Sequence, residues 1–567
     1  MTGDFGMLRK VTDLRDLMNY AASKYGSGAA YLYKEKVGGD YIPISFERFR
    51  EDVYSFGSAL LADGFRGKHI AVIGENRYEW IVTYFAVACG LGVIVPLDKE
   101  LPVQEIAALA GRAEISAIVY SAKVGEKVKS ALEGMDGVTR ICMDLPDHED
   151  GVLSFNALRN KGEALRALGS DNYAQLPVDP DEFCTLIFTS GTTGLAKGVM
   201  LCHRNLAYDV SALYQYVELD RFKDRKVTLS ILPMHHTFEF TADVLGSMHQ
   251  GGTVAFCEGL KYITKNMEQA KVTYLIAVPL IFENMHAKIW KQAEKAGKAD
   301  KMRKAIKMVN ALSHIDRRVM RKTARLFKDV HNAMGGCVKL FIVGGAASDP
   351  NVIRNYMSMG INMVQGYGMT ECAPIIALNP DYACKPASVG LPLPGTEVFI
   401  DDPDTDGIGE IVCKSPAVML GYYKDEEETA KVLSKDGWLH TGDYGYIDRD
   451  GYVYITGRKK NVIVTKNGKN VFPEEVEYYL MKSPFIQEVV VRGEDDGDKD
   501  LAVTAEIYCD PQALQEAGSP EGEALRALIK KEVDACNEMM PLYKRVKRFE
   551  LRDREFEKTT TQKIKRW

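Results

Sequence analysis

The chain has 567 residues, of which 46% are hydrophobic and 26% charged, a composition typical of globular proteins with a large buried core. At roughly 150 residues per domain, this length predicts several domains or sub-domains. The net charge of -6 provides no overall attraction for nucleic acid or acidic membranes. A nucleic-acid partner is therefore not expected, and any basic partner surface must be local.

Eleven cysteines are scattered between Cys89 and Cys536 without a Cys-x-x-Cys pair. Their odd number and irregular spacing indicate reduced thiols, not a disulfide framework or a zinc site. The opening residues, MTGDFGMLRK, show no secretory signal. These features predict a cytoplasmic protein.

Short β-rich runs such as HIAVIG, SAIVYS, CTLIFTS and KLFIVGG alternate with helical patterns through the first two thirds of the chain. This alternation predicts layered α/β sub-domains with largely parallel sheets. The uncharged run from Trp80 to Leu97 has the length of a membrane span. Glycines interrupt it and its second half is β-branched, so we expect a buried helix, a turn and a buried strand.

Glycine, proline and short strands dominate residues 388–457, which predicts a β sub-domain. The strands and helices that follow predict a small α+β domain at 460–567, after a large N-terminal domain at 1–459. A helical insertion is expected at 286–335. Within it, residues 288–329 hold fourteen Lys or Arg against four Asp or Glu. These basic amphipathic helices are interpreted either as a solvated excursion packed on the body or as a face for a membrane surface or acidic partner.

The segment TSGTTGLAKG contains the residue types that bind phosphate: glycines, hydroxyl groups and Lys197. Its spacing does not match a Walker A loop, because Gly194 stands only three positions before Lys197 and Gly198 follows the lysine. Transfer of the γ-phosphoryl group in the manner of P-loop enzymes is therefore not expected.

This loop and six further motifs occur in the order found in the adenylate-forming superfamily of AMP-binding enzymes, which the chain resembles over nearly its whole length. The motifs are TSGTTGLAKGV, LPMHHTFEF, GGAAS, QGYGMTE, WLHTGD, GYVYITGRKKNVIV and KTTTQKIKR. The resemblance implies that ATP activates a carboxylate to acyl-AMP with release of pyrophosphate, and that a thiol then displaces AMP. It is nearest to the bacterial long-chain fatty acid-CoA ligases.

The resemblance also implies roles for individual residues. Lys563 reaches the α-phosphate, while Glu371 and Thr189 are catalytic groups that hold Mg²⁺. Asp443 accepts from the ribose hydroxyls. The residues expected to contact ATP or AMP are Thr189, Ser190, Gly191, Thr192, Thr193, Gly194, Lys197, Gly344, Gly345, Ala346, Gln365, Gly366, Tyr367, Gly368, Met369, Thr370, Asp443, Ile455 and Arg458.

Lys460 occupies the position of the family's hinge residue, and rotation there is expected to exchange the Lys563 loop for a loop containing Gly468 and Lys469 beside a CoA channel. The family usually has glycine where this chain has Gln562, which bears on the geometry of the lysine loop.

The acyl pocket implied by the resemblance is lined by His236, Thr237, Phe238, Gly345 and Gly366. Phe240 follows Glu239, so the His-His-x-x-x-Asp pattern of condensing acyltransferases is absent. No tryptophan is near QGYGMTE to close the pocket, which favours a long aliphatic acid.

Alternatives remain open at this point. The acid could be a bile or aryl acid, the acceptor could be an acyl carrier protein instead of CoA, and the protein could bind nucleotide without catalysis. The expected location is cytoplasmic, with peripheral contact to the inner face of the membrane through the basic helices.

Overall fold

The computed structural model describes residues 9–170, 172–189, 196–217, 219, 222, 225–313, 323–465, 469–495, 501–558 and 564–566. The chain forms two compact units. The first unit comprises Met1–Glu397 and Cys413–Leu439, and the second comprises Val398–Val412 and His440–Trp567.

Strands of the described residues are numbered in chain order. They are β1 (Ala29–Tyr33), β2 (Ile42–Ser45), β3 (Lys68–Ile73), β4 (Gly92–Leu97), β5 (Ile115–Tyr120), β6 (Thr139–Cys142), β7 (Val152–Ser154), β8 (Phe183–Thr189), β9 (Lys197–Cys202), β10 (Val227–Ser230), β11 (Thr253–Phe256), β12 (Tyr274–Ala277), β13 (Leu340–Val343), β14 (Asn362–Gly368), β15 (Ile375–Leu378), β16 (Leu391–Pro392), β17 (Glu397–Asp401), β18 (Gly409–Lys414), β19 (Gly421–Tyr422), β20 (Leu439–Ile447), β21 (Val453–Arg458), β22 (Ile463–Val464), β23 (Asn470–Val471), β24 (Ile486–Asp495), β25 (Leu501–Cys509) and β26 (Arg548–Arg552).

The α-helices are numbered in the same way. They are α1 (Leu14–Tyr25), α2 (Phe46–Ala62), α3 (Tyr78–Ala88), α4 (Val103–Arg112), α5 (Gly125–Ala131), α6 (Phe155–Ala167), α7 (His203–Leu213), α8 (Gly246–Gln250), α9 (Ile263–Ala270), α10 (Pro279–Lys295), α11 (Ala299–Ser313), α12 (Lys328–Ala333), α13 (Pro350–Ser358), α14 (Glu426–Val432), α15 (Pro473–Leu480), α16 (Pro511–Glu516) and α17 (Gly522–Glu538). A π-helix spans Phe238–Leu245, and short 3₁₀ turns include Thr370–Cys372 and Lys459–Asn461.

The largest sheet of the first unit has the strand order β19-β9-β8-β4-β3-β5-β6-β7. Strands β3 to β8 in this sheet pair in parallel, while β8, β9 and β19 add an antiparallel edge. Two further sheets of the unit have the orders β10-β11-β1-β2 and β12-β13-β14-β15-β16. The predicted α/β architecture is confirmed.

The apolar run from Trp80 to Leu97 folds as predicted into a buried helix, a turn and a buried strand, α3 and β4. Gly90 has a φ of 94° in the turn, a backbone conformation that glycine adopts most readily. Among the described helices, none combines the length and the apolar character needed to cross a membrane.

The basic segment at 288–313 contains the last eight residues of α10 and all of α11. Met302, Ile306 and Val309 on α11 are buried and join the core that packs around β12, β13 and β14. Phe327 and Val330 join the same core, whereas Leu326 is 60% exposed. The apolar side of these helices therefore packs inward, and their lysines lie on the exposed side. Residues 314–322, the middle of the predicted second basic helix, lie outside the described residues.

The second unit contains the sheet β17-β18-β20-β21, the pair β22-β23 and the sheet β24-β25-β26. Helices α15 and α17 pack on the last of these around Val476, Ile529 and Val533. The β sub-domain predicted at 388–457 thus contributes four strands to the same compact unit as the C-terminal segment. The predicted functional boundary after residue 459 falls inside this unit and stays a prediction.

Candidate active site

The predicted phosphate loop closes an antiparallel hairpin in the first unit. Strands β8 and β9 pair with Thr189 opposite Lys197, and the Thr189 hydroxyl donates to the Lys197 carbonyl oxygen at 3.4 Å. Both residues therefore lie at the mouth of the loop. The other predicted loop residues, Ser190, Gly191, Thr192, Thr193 and Gly194, lie outside the described residues.

The Lys197 ammonium group is held by two side chains that are distant in sequence. Its Nζ forms an ion pair with Glu428 Oε2 and lies 5.0 Å from the centre of the Tyr422 ring. The Lys197 side chain is only 18% exposed. The aromatic ring and the carboxylate together hold the ammonium group in one orientation and stabilise its positive charge.

Tyr422 connects the lysine to the predicted magnesium carboxylate. Its hydroxyl donates to Glu371 Oε1 at 2.8 Å, and burial and the neighbouring Glu371 raise the pKa of Tyr422. The phenol therefore remains a donor at neutral pH. Its position follows from strand pairing, since β19 runs antiparallel to β9 with Tyr422 opposite Val199.

Glu428 lies in the first turn of α14, whose N-cap is Asp425. Hydrogen bonds from Lys197 and from Lys431 lower the pKa of Glu428 to about 2. A carboxylate near a helix N-terminus is also favoured by the backbone dipole. Glu428 is therefore charged throughout the range of pH at which enzymes work, and Lys197 has a permanent anionic partner.

The turn that contains Glu371 depends on a close backbone approach. A Cβ atom at Gly368 would lie 1.9 Å from the carbonyl oxygen of Pro374, so no other residue fits there. The Met369 amide donates to that same oxygen at 2.8 Å, and the Met419 amide donates to the Glu371 carbonyl at 2.9 Å. These contacts fix the 3₁₀ turn Thr370–Cys372 and so fix the Glu371 side chain that points from it.

Gln365 lies on β14, opposite Val343 at the end of β13. The residue is 5% exposed, and within the described part of the chain its Oε1 atom has no hydrogen-bond partner. A buried amide oxygen without a donor is costly unless a ligand or water supplies one. Gly366 and Tyr367 follow on β14 and pair with Leu378 and Ala377 of β15.

The predicted adenine loop begins directly after β13. Gly344 is buried and Gly345 has a φ of 81°, while Gly345 and Ala346 are exposed. A Cβ atom at Gly344 would lie 2.8 Å from Cζ of Phe238. The ring of Phe238, predicted to line the acyl pocket, therefore packs directly on the predicted adenine loop.

Two histidines precede this phenylalanine. The rings of His235 and His236 have centroids 4.0 Å apart, and Thr237 is buried. His235 Nε2 lies 3.5 Å from Asp98 Oδ2, yet burial lowers the pKa of His235 to about 3. His235 is therefore a neutral, structural side chain at physiological pH. The helix that follows begins at Phe238 and is a π-helix.

In the second unit, strand register brings two predicted ribose and phosphate ligands together. Asp443 on β20 lies opposite Arg458 on β21, and Arg458 Nε is 2.9 Å from Asp443 Oδ1. Asp443 is 5% exposed, whereas the Arg458 side chain is 48% exposed. Ile455, also on β21, is exposed.

The predicted hinge residue, Lys460, lies in the 3₁₀ turn Lys459–Asn461 that follows β21. Partial desolvation and the neighbouring Arg458 and Arg566 lower the pKa of Lys460. The preceding Lys459 is bonded to buried Glu410, with Nζ 2.7 Å from Oε2. Lys459 is thus tied to the β-sheet, while Lys460 stays exposed.

Lys563 lies outside the described residues, but both ends of its loop are described. Lys558 and Ile564 form an antiparallel bridge, and the Lys565 amide donates to the Glu557 carbonyl at 2.7 Å. Arg566 then makes a two-pronged contact with Glu477, at 2.8 and 2.6 Å. The loop is therefore closed at its base by backbone and ionic bonds.

The predicted CoA-channel loop is also a hairpin. Strands β22 and β23 pair with Val464 opposite Asn470. At the tip, the Thr465 amide donates to the Lys469 carbonyl oxygen at 2.9 Å, and the Lys469 amide donates to the Thr465 hydroxyl at 3.1 Å. Lys469 Nζ lies 4.9 Å from the Tyr543 ring. Gly468 lies outside the described residues.

Sequence reasoning did not single out Tyr422 and Glu428, although both contact predicted site residues. Both lie in the segment GYYKDEEET, which is inside the β-rich region at 388–457 and resembles an ordinary short strand followed by the start of a helix. Only the pairing of β19 with β9 shows that this segment is a neighbour of the phosphate loop.

The residues predicted to hold Mg²⁺ offer suitable donors. Tyr422 donates to Glu371 Oε1, and Thr189 contributes a hydroxyl at the mouth of the loop. One carboxylate and one hydroxyl are hard oxygen donors, and Mg²⁺ typically takes one or two protein oxygens together with substrate phosphates.

Residues 19–423 match the family model of the AMP-binding enzyme. Rat long-chain-fatty-acid-CoA ligase 5 is 28% identical over 484 residues, covering 80% of this chain and 69% of the relative. Human long-chain-fatty-acid-CoA ligase 1 is 30% identical over 481 residues, covering 80% and 68%. An Arabidopsis thaliana chloroplastic long-chain-fatty-acid-[acyl-carrier-protein] ligase is 26% identical over 556 residues, covering 85% and 74%.

Among solved structures, ATP-bound MatB from Rhodopseudomonas palustris matches with a TM-score of 0.73 and 25% identity, over 97% of this chain and 96% of that chain. A Mycobacterium tuberculosis fatty acyl CoA synthetase matches in fold, with a TM-score of 0.64 and 21% identity, over 98% and 97%. Because the family model covers more than half of the residues, the chain belongs to the AMP-binding enzyme family.

Proposed function

We propose that this protein uses ATP to convert a fatty acid, with a long chain preferred, into acyl-AMP and then transfers the acyl group to CoA. The observation that carries the proposal is the set of contacts that joins Lys197, Tyr422 and Glu371 in a chain of the AMP-binding enzyme family. A cation and a carboxylate held in this way suit the binding of Mg²⁺ and pyrophosphate. The names of the curated relatives support the substrate class.

In the proposed first step, a fatty acid carboxylate oxygen attacks the α-phosphorus of ATP and pyrophosphate leaves. Lys197 would bind the leaving phosphates, and Glu371 and Thr189 would hold Mg²⁺, which neutralises phosphate charge when bound. Lys563 would stabilise the charge that develops at the α-phosphate. Preorganised donors and cations of this kind are commonly the largest contribution to such catalysis.

Nucleotide positioning is proposed for three further groups. The buried Gln365 oxygen would accept a hydrogen bond from the adenine side, beside Gly344. Asp443 would accept from the ribose hydroxyls in place of part of its contact with Arg458. Carboxylates accept two hydrogen bonds readily, which suits a vicinal diol.

In the proposed second step, the CoA thiolate displaces AMP from acyl-AMP. We propose rotation about Lys460 to bring the loop with Gly468 and Lys469 into use for this step and to remove the Lys563 loop. Both loops are bonded at the base. Each of them would therefore move as one piece during this exchange.

The decisive experiment measures pyrophosphate release with ATP and Mg²⁺ across a panel of fatty, aryl and bile acids, with CoA or an acyl carrier protein added in parallel. We expect release with long-chain acids and thioester formation with CoA. If the thioester forms only on the carrier protein, the acceptor is a carrier protein instead of CoA. The Arabidopsis relative is named for that acceptor. Nucleotide binding without turnover of any acid would contradict the proposal and favour a binding protein.

A cytoplasmic location and an anionic membrane surface as a partner of the basic helices are part of this proposal. All eleven cysteines are free and nine are buried, as expected in a reducing compartment. Lys288, Lys291 and Lys295 recur at helical spacing on the exposed side of α10. Co-sedimentation with phosphatidylglycerol vesicles, compared with neutral vesicles, tests the membrane contact.

A further inference from the structure

Two carboxyl groups are completely buried on the π-helix Phe238–Leu245, and the proposed function uses neither. Glu239 and Asp243 are both 0% exposed. Runs of π-helix are rare and often occur at functional sites. A buried carboxyl group requires a specific set of bonds or a bound proton to be tolerated.

Glu239 joins a set of hydrogen bonds through one of its two carboxyl oxygens, Oε1, while its buried Oε2 has no hydrogen-bond partner among the described residues. Its Oε1 accepts from the Ser230 hydroxyl at 2.5 Å, and Asn76 Nδ2 donates to Ser230 Oγ at 2.8 Å. The same amide group donates to the Leu232 carbonyl at 2.6 Å, and Asn76 Oδ1 accepts from the Met234 amide at 3.2 Å. The chain between Ser230 and Glu239 is therefore bonded at both ends and in the middle.

The segment fixed in this way contains the predicted wall of the acyl pocket. It includes His236 and Thr237, and Phe238 is the residue next to Glu239. The Phe238 ring packs so closely on Gly344 that a Cβ atom there would lie 2.8 Å from it. A small shift of Glu239 would therefore displace the Phe238 ring, which belongs to the predicted wall of the acyl pocket.

Burial favours the neutral form of the Glu239 carboxyl group. Burial, and then the nearby Asp243, hold the pKa of Glu239 well above its ordinary value, and burial raises the pKa of Asp243 to about 7. The other titratable groups that act on the pair are Cys257, Tyr214 and Tyr274, and burial raises the pKa of each of them. Burial therefore favours the uncharged form of each of these groups.

We propose that Glu239 is a positioning residue for the acyl-pocket wall formed by His236 and Phe238, and that its bond to Ser230 sets the fit of that wall to a long apolar tail. The inference rests on the proposed function. Glu239 does not touch the reacting atoms; it acts through Phe238. Each buried methylene of a bound tail adds to the binding of the acid, so a displaced wall weakens binding of the acid more than binding of ATP.

The test compares KM for the acid and KM for ATP in pyrophosphate release, using saturated acids from eight to eighteen carbons. We expect Glu239→Ala to raise KM for the longest acids about tenfold and to flatten the dependence on chain length, with KM for ATP within about twofold of wild type. Glu239→Gln keeps a neutral acceptor of the same shape and should rescue both values to within about twofold. Asp243→Asn, one turn further along the helix and not bonded to Ser230, is the matched control and should leave the chain-length profile unchanged.

Ser230→Ala removes the hydroxyl partner and retains Glu239, and it serves if Glu239→Ala does not fold. We expect it to raise KM for the longest acids about threefold. An unchanged acid KM in either folded variant, or an equal rise in KM for ATP, would overturn the inference while leaving the proposed function intact. A wild-type protein that turns over no acid would overturn the proposed function itself, and with it this inference.

The pH dependence of the free energy of unfolding is a second measurement, and it tests whether the Glu239 carboxyl group is neutral in the folded protein. Because the folded state retains protons that the unfolded state releases, the free energy of unfolding should fall as pH rises from about 5 through about 7. Glu239→Gln removes part of this fall, so its stability relative to wild type should increase between pH 5 and pH 8 in urea denaturation. A wild type and variant with parallel pH profiles would show that Glu239 is charged in the folded protein, contrary to the inference.

Discussion

The predicted phosphate site in the first unit and the predicted lysine loop in the second unit are held by different means. In the first unit, side chains from four separate segments are bonded to one another, from Lys197 through Tyr422 to Glu371. In the second unit, the described residues on either side of Lys563 are bonded at the base of its loop, where Lys558 pairs with Ile564 and Arg566 binds Glu477.

This difference indicates different tasks. A bonded set of donors and charges is preorganised, which suits binding of pyrophosphate with little rearrangement. A loop that is bonded at its base can move as one piece. This suits Lys563, which is expected to act only in acyl-AMP formation and not in transfer to CoA. The following changes test this division of labour, from the largest expected effect to the smallest.

Replacing Lys563 by alanine should remove acyl-AMP formation, by about 10³-fold or more, because the charge that develops at the α-phosphate loses its cation. Transfer from supplied acyl-AMP to CoA should survive. The two half-reactions are measured separately, by pyrophosphate release and by thioester formation. Equal loss of both would contradict a role limited to the first step.

Glu371→Gln should reduce pyrophosphate release by about 10²-fold, because the amide retains the shape but loses the charge that holds Mg²⁺. Tyr422 would still have an acceptor, so the fold should be unaffected. A titration of activity with Mg²⁺ should show a raised half-saturation concentration. If activity falls with no change in the Mg²⁺ requirement, Glu371 is not a ligand of the metal.

Tyr422→Phe should reduce turnover about tenfold, because Glu371 loses the phenol donor that orients it, and a hydrogen bond to a charged group contributes about 1.5–3 kcal/mol. The ring remains for Lys197. Tyr423→Phe is the matched control, since its hydroxyl contacts Glu114 at the surface at 3.3 Å. If the two changes have equal effects, the Tyr422 hydroxyl does not orient Glu371 for catalysis.

Glu428→Gln should have the smallest effect, a decrease of a few fold in KM for ATP, because phosphate no longer displaces a carboxylate from Lys197. The pKa of Glu428 lies at about 2, so its charge is lost only in strong acid, and the change in KM should be the same at pH 6 and pH 9. Glu427→Gln, which affects a carboxylate paired only with Lys431 at 3.0 Å among the described contacts, is the control. An increased KM would show that Glu428 positions the lysine for phosphate instead of competing with it.

Local patterns were sufficient for much of the fold. Alternating β-rich and helical segments predicted the α/β layers, and the glycines after Trp80 predicted the turn that separates α3 from β4. The type of a helix could not be predicted in the same way. The segment Phe238–Leu245 is a π-helix, but its pattern of apolar and polar residues would also fit an α-helix. The two helix types differ in whether backbone hydrogen bonds span four or five residues, and residue propensities do not distinguish these two spacings.

The sequence by itself determined the family, the order of its motifs and the residue types that a phosphate site needs, because glycine spacing and fixed lysines are local properties of the chain. Only the tertiary structure decided which side chains meet. Tyr422 lies near Glu371 because β19 pairs with β9. Glu239 bonds Ser230 because the π-helix packs beside the end of β10. Such contacts depend on strand register and helix phase between segments far apart in the chain, which no short pattern contains.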